Sequence, residues 1–220
     1  MKAVIFDFDG TLTDKTNHLW KRIWEKLGYE IGQNSYYASL YKQFINNSIT
    51  HKQWCELTLK AFQDKGFTKQ MFCEIIKTIK LMKGAEDLIK NIHSKGVKIH
   101  IVSGNIISVI EKVLKNVIQY IDCIKANEFL FDKQGNITDI IGTQYDYEGK
   151  AKYVKELCLK NDYQPNDILF IGNSINDEFV YQSGARTLCV NPANAKSNNH
   201  KIWHKVVFTN NLNDLLKEIV

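Results

Sequence analysis

Short runs of β-branched and aromatic residues recur along this 220-residue chain, and helical patterns lie between most of them. The runs are AVIFDF (3–8), VKIHIV (97–102), CIKA (123–126), DILFIG (167–172), RTLCV (186–190) and VVF (206–208). They are short and nearly continuously apolar, so they read as parallel strands buried on both faces. One helical pattern begins near Ala85 and ends at the Lys95-Gly96 stop signal. Others follow Ser103, run from about Gly149 to Asn161, follow Ser174 and close the chain over 212–219. Such alternation predicts an α/β fold, a doubly wound and mostly parallel sheet covered on both faces. Ligands of these sheets gather outside the carboxyl ends of the strands.

Two segments break the alternation. Residues 15–81 contain no convincing strand but hold helical stretches with aromatic stripes: LWKRIWEKLG (19–28), YYASLYKQFI (36–45), HKQWCELTLKAFQ (51–63) and TKQMFCEIIKTI (68–79). Trp20 and Trp24 share a helix face, as do Tyr37 and Tyr41, a spacing that suits packing within a small helical bundle. The segment enters after the first strand and leaves before the second. It therefore reads as an inserted helical cap, leaving 1–14 and 82–220 as the core domain. The second break, EFLFDKQGNITDII (128–141), has two strand-like runs about Gly135-Asn136 and reads as a β-hairpin at the sheet's edge.

Composition narrows the partners. No apolar stretch approaches the roughly 20 residues needed to span a bilayer, and MKAVIFDFDG reads as a first core strand, not a signal peptide. Five cysteines are widely spaced with no CxxC pair, as expected of free thiols in a reducing, cytoplasmic setting. The formal net charge of +5 is spread over scattered lysines, and only Arg22 and Arg186 are arginines. Nucleic-acid readers cluster Arg and Lys around aromatic platforms, so neither nucleic acid nor membrane is an expected partner. The sequence carries no signal of oligomeric state.

The first strand ends in DFDGTLTD (7–14). Asp9-Gly10 is a common turn signal, but that does not account for Asp7 at the end of an apolar run. Two acids this close favour a cation between them or a raised pKa on one. The second strand ends in IVSGN (101–105), where Ser103 reads either as a helix N-cap or as a hydroxyl beside a helix start that suits a phosphate. Lys150 falls at a helix start, where lysine is unfavourable unless an anion is nearby, although lysine is abundant here. At LFIGNSIND (169–177) an apolar strand delivers Asn173, Ser174 and Asp177 to another strand-to-helix junction. His200 and His204 are four apart, but no third ligand is evident and no zinc site is expected.

DFDGT (7–11), VSG (102–104), Lys150 and GNSIND (172–177), in this order and each after its own strand, resemble the haloacid dehalogenase superfamily. The helical insertion falls where that superfamily's type 1 cap sits. Cap length and the VSG form are similar to the phosphoserine-phosphatase-like branch. The resemblance implies Mg²⁺-dependent phosphoryl transfer through an aspartyl phosphate. Asp7 would be the nucleophile and Asp9 the general acid and base. Ser103, Gly104, Asn105 and Lys150 would hold the phosphate of a small phosphorylated substrate, with Lys150 also offsetting charge in the transition state. Asp7, the main-chain carbonyl of Asp9 and Asn173 would hold the metal, and Asp177 would order its bound water.

Two positions depart from the family's pattern. Asn173 stands where the family's fourth motif places an acid, which predicts weaker metal binding. Phosphoserine phosphatases of the branch hold the amino-acid head group with a cap arginine and a cap glutamate. Here the one arginine of 15–81 is Arg22, early in the first cap helix. The reading is a phosphatase acting on a small phosphomonoester. A phosphotransferase using the same intermediate, or a binding protein weakened at Asn173, are the alternatives.

Overall fold

The computed structural model describes residues 1–14, 18–198 and 201–219. Ala3–Phe6 forms β1, every residue of it buried, at the centre of a parallel sheet. It pairs on one side with β2 (Lys98–Ile106) and on the other with β5 (Ile168–Gly172). Beyond β5 lie β6 (Arg186–Val190) and β7 (Lys205–Val207), also parallel. Beyond β2 comes β3 (Cys123–Phe131), which pairs antiparallel with β4 (Ile137–Ile141), giving the order β4-β3-β2-β1-β5-β6-β7. The fold is thus α/β, with a mostly parallel, doubly wound sheet.

Continuous burial explains why the central runs form strands. Ala3, Ile5, Ile168 and Phe170 face a cluster completed by Tyr153, Val154 and Leu157 of the helix Glu148–Asn161 and by Val180 and Ala185. Helix Ala85–Ser94 buries Leu88, Ile89 and Ile92, the apolar stripe expected of an amphipathic helix. The chain divides into two compact units. The first comprises Met1–Asn17, Lys80–Ala126 and Thr143–Val220, and the second His18–Ile79 and Asn127–Gly142.

In the second unit four helices, α1 (Leu19–Lys26), α2 (Tyr36–Ile45), α3 (His51–Asp64) and α4 (Lys69–Ile76), share an aromatic core with the hairpin. Ser35, Thr50 and Thr68 accept backbone hydrogen bonds at the starts of α2, α3 and α4, which satisfies otherwise orphaned donors. Trp24 is 1% exposed and packs on Tyr29, Tyr37 and Phe62, whereas Tyr36 and Tyr41 face solvent. Phe129 of β3 meets Trp20 and Phe72, with ring centroids 5.4 and 5.1 Å away. Lys69 N–H donates to the Gly135 carbonyl at 2.7 Å, so main-chain bonding also ties the hairpin to this unit. Arg22 donates to Thr78 Oγ1 within the same unit. The residues 15–17 at the expected start of the insertion lie outside the described residues.

In chain order the remaining helices are α5 (Ala85–Ser94), α6 (Ile107–Val113), α7 (Glu148–Asn161) and α8 (Leu216–Ile219). No described helix is long and apolar enough to cross a membrane. The segment after Ser174 forms a 3₁₀ helix, Ile175–Ser183, where an α-helical pattern was read.

Phe170 is 0% exposed and sits at the centre of the β5 face covered by α7. Phe170→Ala is expected to lower unfolding free energy by about 3–5 kcal/mol, read as a fall in the urea midpoint.

Candidate active site

The site is assembled in the first unit from the carboxyl ends of β1, β2 and β5 and the start of α7. β1 ends at Phe6, one residue before the first acid, and Asp7 N–H still donates to the Ile171 carbonyl at 2.9 Å. Strand alternation places Asp7 on the same face as Ala3 and Ile5, the face covered by α7. Lys150, in the first turn of α7, donates from Nζ to Asp7 Oδ1 at 2.8 Å and to Asp177 Oδ1 at 2.6 Å. All three side chains are buried: Lys150 and Asp177 are 0% and Asp7 is 3% exposed. Burial alone would push the Lys150 ammonium down, but Asp177, Asp7 and Asp146 together hold it well above its ordinary value.

Asp177 spends its other oxygen on the loop. Its Oδ2 accepts from the N–H groups of Asn173 and Ser174 at 2.9 and 3.1 Å. Expected to order metal-bound water, Asp177 thus has both oxygens bonded within the protein. A fully buried carboxylate requires such partners. Burial still pushes it up to about 6, Lys150 pulling down and Asp7 adding to the rise.

Asp9 takes a different direction from Asp7. The strand has already ended, and the chain turns at Gly10, whose φ is +74°. The Phe8 carbonyl accepts from the N–H groups of Thr11, Leu12 and Thr13 at 3.0–3.3 Å, closing this turn. The Asp9 carboxylate lies against Asn105, whose Nδ2 donates to both oxygens at 2.8 and 2.9 Å. Burial first and the Asp7 charge second push Asp9 up to about 7, with Asn105 and Lys150 acting the other way.

β2 runs through Ser103, Gly104 and Asn105 and ends at Ile106, longer than the sequence suggested. Ser103 is therefore not a helix N-cap. The following helix, α6, starts at Ile107 without a side-chain cap, and the Ile106 N–H is taken instead by Asn105 Oδ1. Ser103, 2% exposed, accepts from Asn105 N–H at 3.3 Å, leaving its own hydroxyl hydrogen free to donate. The Asn105 side chain, expected at phosphate, is committed to Asp9 and to Ile106 N–H.

Asn173, 1% exposed, follows β5 directly, and its Oδ1 has no hydrogen-bond partner. Its amide occupies the space that a Cβ on Gly10 would need, so the two loops meet only because residue 10 is glycine. A buried amide oxygen without a donor is what an oxygen-seeking cation satisfies, and the Asp7 carboxylate and Asp9 carbonyl are of the same hard donor type. These three residues fit a divalent metal. Among the described residues, no group of three or more His, Cys, Asp or Glu could hold a metal ion, so carboxylates alone do not make the site.

Sequence reading missed Asp146. Its Oδ1 lies 4.0 Å from Lys150 Nζ, accepts from Tyr147 N–H at 3.0 Å, and receives Asn176 Nδ2 at 3.4 Å. Its Oδ2 fills the space a Cβ on Gly104 would require. The i,i+4 spacing to Lys150 was the available signal. Of the histidine pair, His200 lies outside the described residues, and His204 Nδ1 accepts from Thr187 N–H at 3.1 Å.

Residues 1–178 match the family model of haloacid dehalogenase-like hydrolases, and the chain belongs to that family. A phosphoserine phosphatase of Lactococcus lactis is 25% identical over 175 residues, covering 79% of this chain and 76% of the relative. One of Archaeoglobus fulgidus is 24% identical over 191 residues, covering 86% of this chain but only 52% of the relative, so the chain spans about half that protein's length. A solved phosphoserine phosphatase with a phospho-aspartyl intermediate analogue matches with TM-score 0.77 at 19% identity, covering 100% of this chain and 99% of that one. That likeness shows a shared fold.

Two measurements check the electrostatics. Lys150→Ala leaves Asp7 and Asp177 buried without a counter-charge and is expected to cost about 3–5 kcal/mol at pH 8, less at pH 5, by chemical denaturation. Asp9 is raised from 3.8 to about 7 in the fold. A raised carboxylate binds its proton more tightly folded than unfolded, so its destabilising ionisation grows as pH rises between those values. In metal-free buffer Asp9→Asn should therefore raise Tm at pH 8 and lose that advantage by about pH 4.

Proposed function

We propose that this chain is a phosphatase that hydrolyses a small-molecule phosphomonoester through an aspartyl phosphate on Asp7, with Mg²⁺ as its cofactor. The observation that carries the reading is the buried Lys150 ammonium on Asp7 at 2.8 Å, beside an Asp9 pushed up to about 7. Membership of the hydrolase family and the resemblance to phosphoserine phosphatases support it.

Lys150 holds the Asp7 oxygen in place for attack on phosphorus, so that one hard displacement becomes two easier ones. As the Asp7–phosphorus bond forms and the ester bond breaks, Asp9 gives its proton to the leaving oxygen. In the second displacement Asp9 takes a proton from the attacking water, and Asp7 is released with inorganic phosphate. A group with its pKa near 7 suits both roles. The Ser103 hydroxyl and the Lys150 ammonium meet the phosphoryl oxygens and balance the charge that develops on them. Mg²⁺, held by Asp7, the Asp9 carbonyl and Asn173 Oδ1, would supply Lewis-acid polarisation of a phosphoryl oxygen.

Phosphoserine is not the substrate this reading favours. Arg22, the one arginine in the second unit, is already bonded to Thr78.

The test is release of p-nitrophenol from p-nitrophenyl phosphate across millimolar Mg²⁺, followed by a panel of phosphorylated metabolites. Activity is expected for the wild type and background rates for Asp7→Asn. Folded wild-type protein without Mg²⁺-dependent release at any concentration would sink the proposal. Asn173→Asp restores one negative charge and is expected to lower the Mg²⁺ concentration for half-maximal rate by about tenfold.

A further inference from the structure

We propose that Asn105 is a positioning residue for proton transfer, holding the Asp9 carboxylate where it can protonate the leaving oxygen. This rests on the phosphatase reading above and adds a role to a residue that reading leaves without one.

Asn105 is 0% exposed, so its amide must find partners inside the protein. Its Oδ1 accepts from Ile106 N–H at 2.5 Å, and this contact distinguishes the amide oxygen from the nitrogen. The reversed amide would set a donor against a donor. Nδ2 therefore faces Asp9, and its two contacts, 2.8 Å to Oδ1 and 2.9 Å to Oδ2, fix the carboxylate's plane. The amide nitrogen is thereby turned to Asp9. Asp9 is only half-buried, and on a turn it would otherwise sample other rotamers. The main chain of Asn105 adds a second link, since its N–H donates to Ser103 Oγ at 3.3 Å. One residue thus spaces the proton donor from the phosphate-binding hydroxyl.

The chemistry gives this role a signature. When the ester bond to phosphorus breaks, its electron pair goes to the leaving oxygen, which takes the Asp9 proton while Asp7 bonds to phosphorus. An alkoxide needs that proton in the transition state, whereas a p-nitrophenolate leaves well without it. A misplaced Asp9 therefore slows alkyl esters far more than aryl esters. A defect in phosphate binding slows both alike.

The experiment compares kcat/KM of wild type, Asn105→Ala and Asn105→Ser on p-nitrophenyl phosphate and on glycerol phosphate or phosphoserine, whichever the wild type turns over. Serine keeps a hydroxyl acceptor near Ile106 N–H but is too short to reach Asp9, so it carries the comparison if the alanine variant fails to fold. The expected loss is about 10- to 100-fold on the alkyl ester and under about threefold on the aryl ester, with inhibition by inorganic phosphate unchanged. In an Asp9→Asn background the same substitutions should cost nothing further on the alkyl ester, because Asn105 acts through Asp9. Equal losses on both esters, a further loss in the Asp9→Asn background, or weakened phosphate inhibition overturns the positioning role alone. A wild type that releases phosphate from neither ester overturns the phosphatase reading and this role with it.

Discussion

A lysine ammonium with no solvent contact sits within 2.8 Å of one buried carboxylate and 2.6 Å of another, and the rest of the site depends on it. Burying a charge is costly unless it is paired and hydrogen-bonded. Asp7 belongs to the chain after β1, Asp177 to the 3₁₀ helix after β5, and Lys150 to α7, so one cation draws three segments to a point. The Phe170 ring, 5.9 Å from Nζ, closes the dry side of that point. Because water is excluded there, the attraction between these charges is screened far less than it would be at the surface. The same contact that stabilises the fold fixes the Asp7 carboxylate in place.

Around that centre the charge is uneven. Four aspartates, at 7, 9, 146 and 177, share the Lys150 ammonium, and Asn173 adds an oxygen but no charge. The Asp9 pKa follows from this imbalance: its half-buried carboxylate lies near Asp7, and the ammonium belongs chiefly to others. Asn173 is positioned as an uncharged oxygen donor with nothing bonded to it. The asparagine thus lowers the negative charge at the strand ends by one relative to an aspartate, without disturbing the acids around it.

Much of this was legible in the sequence, for reasons particular to each element. β5 and β6 were read to within a residue because continuous apolar runs ended at clear punctuation. The end of β2 was not, because Ser103-Gly104-Asn105 looks like a helix start. The Asn105 side chain satisfies the next backbone N–H and lets the strand run on. The hairpin was recognised, but its union with the helices was not. Phe129 finds Trp20 and Phe72 from over fifty residues away, and no local pattern encodes that contact. DFDGT gave away Asp7 and Asp9 as a pair. That they would turn to different partners, one to Lys150 and one to Asn105, depended on where β1 stopped.

The pairing of β1 with its neighbours has a consequence for how errors in folding are disposed of. Phe6 lies opposite Ile101 and Ile171, and Asp7 stands between Phe6 at 1% and Phe8 at 0% exposure. A slip by one residue would exchange the faces of the whole strand, turning a phenylalanine toward Lys150 and a carboxylate into hydrocarbon. Such a chain would lose its core and its ion pair together. A molecule with a misdirected Asp7 is therefore also one that cannot stay folded, and well-packed copies with a disordered strand end have no route to accumulate by this error.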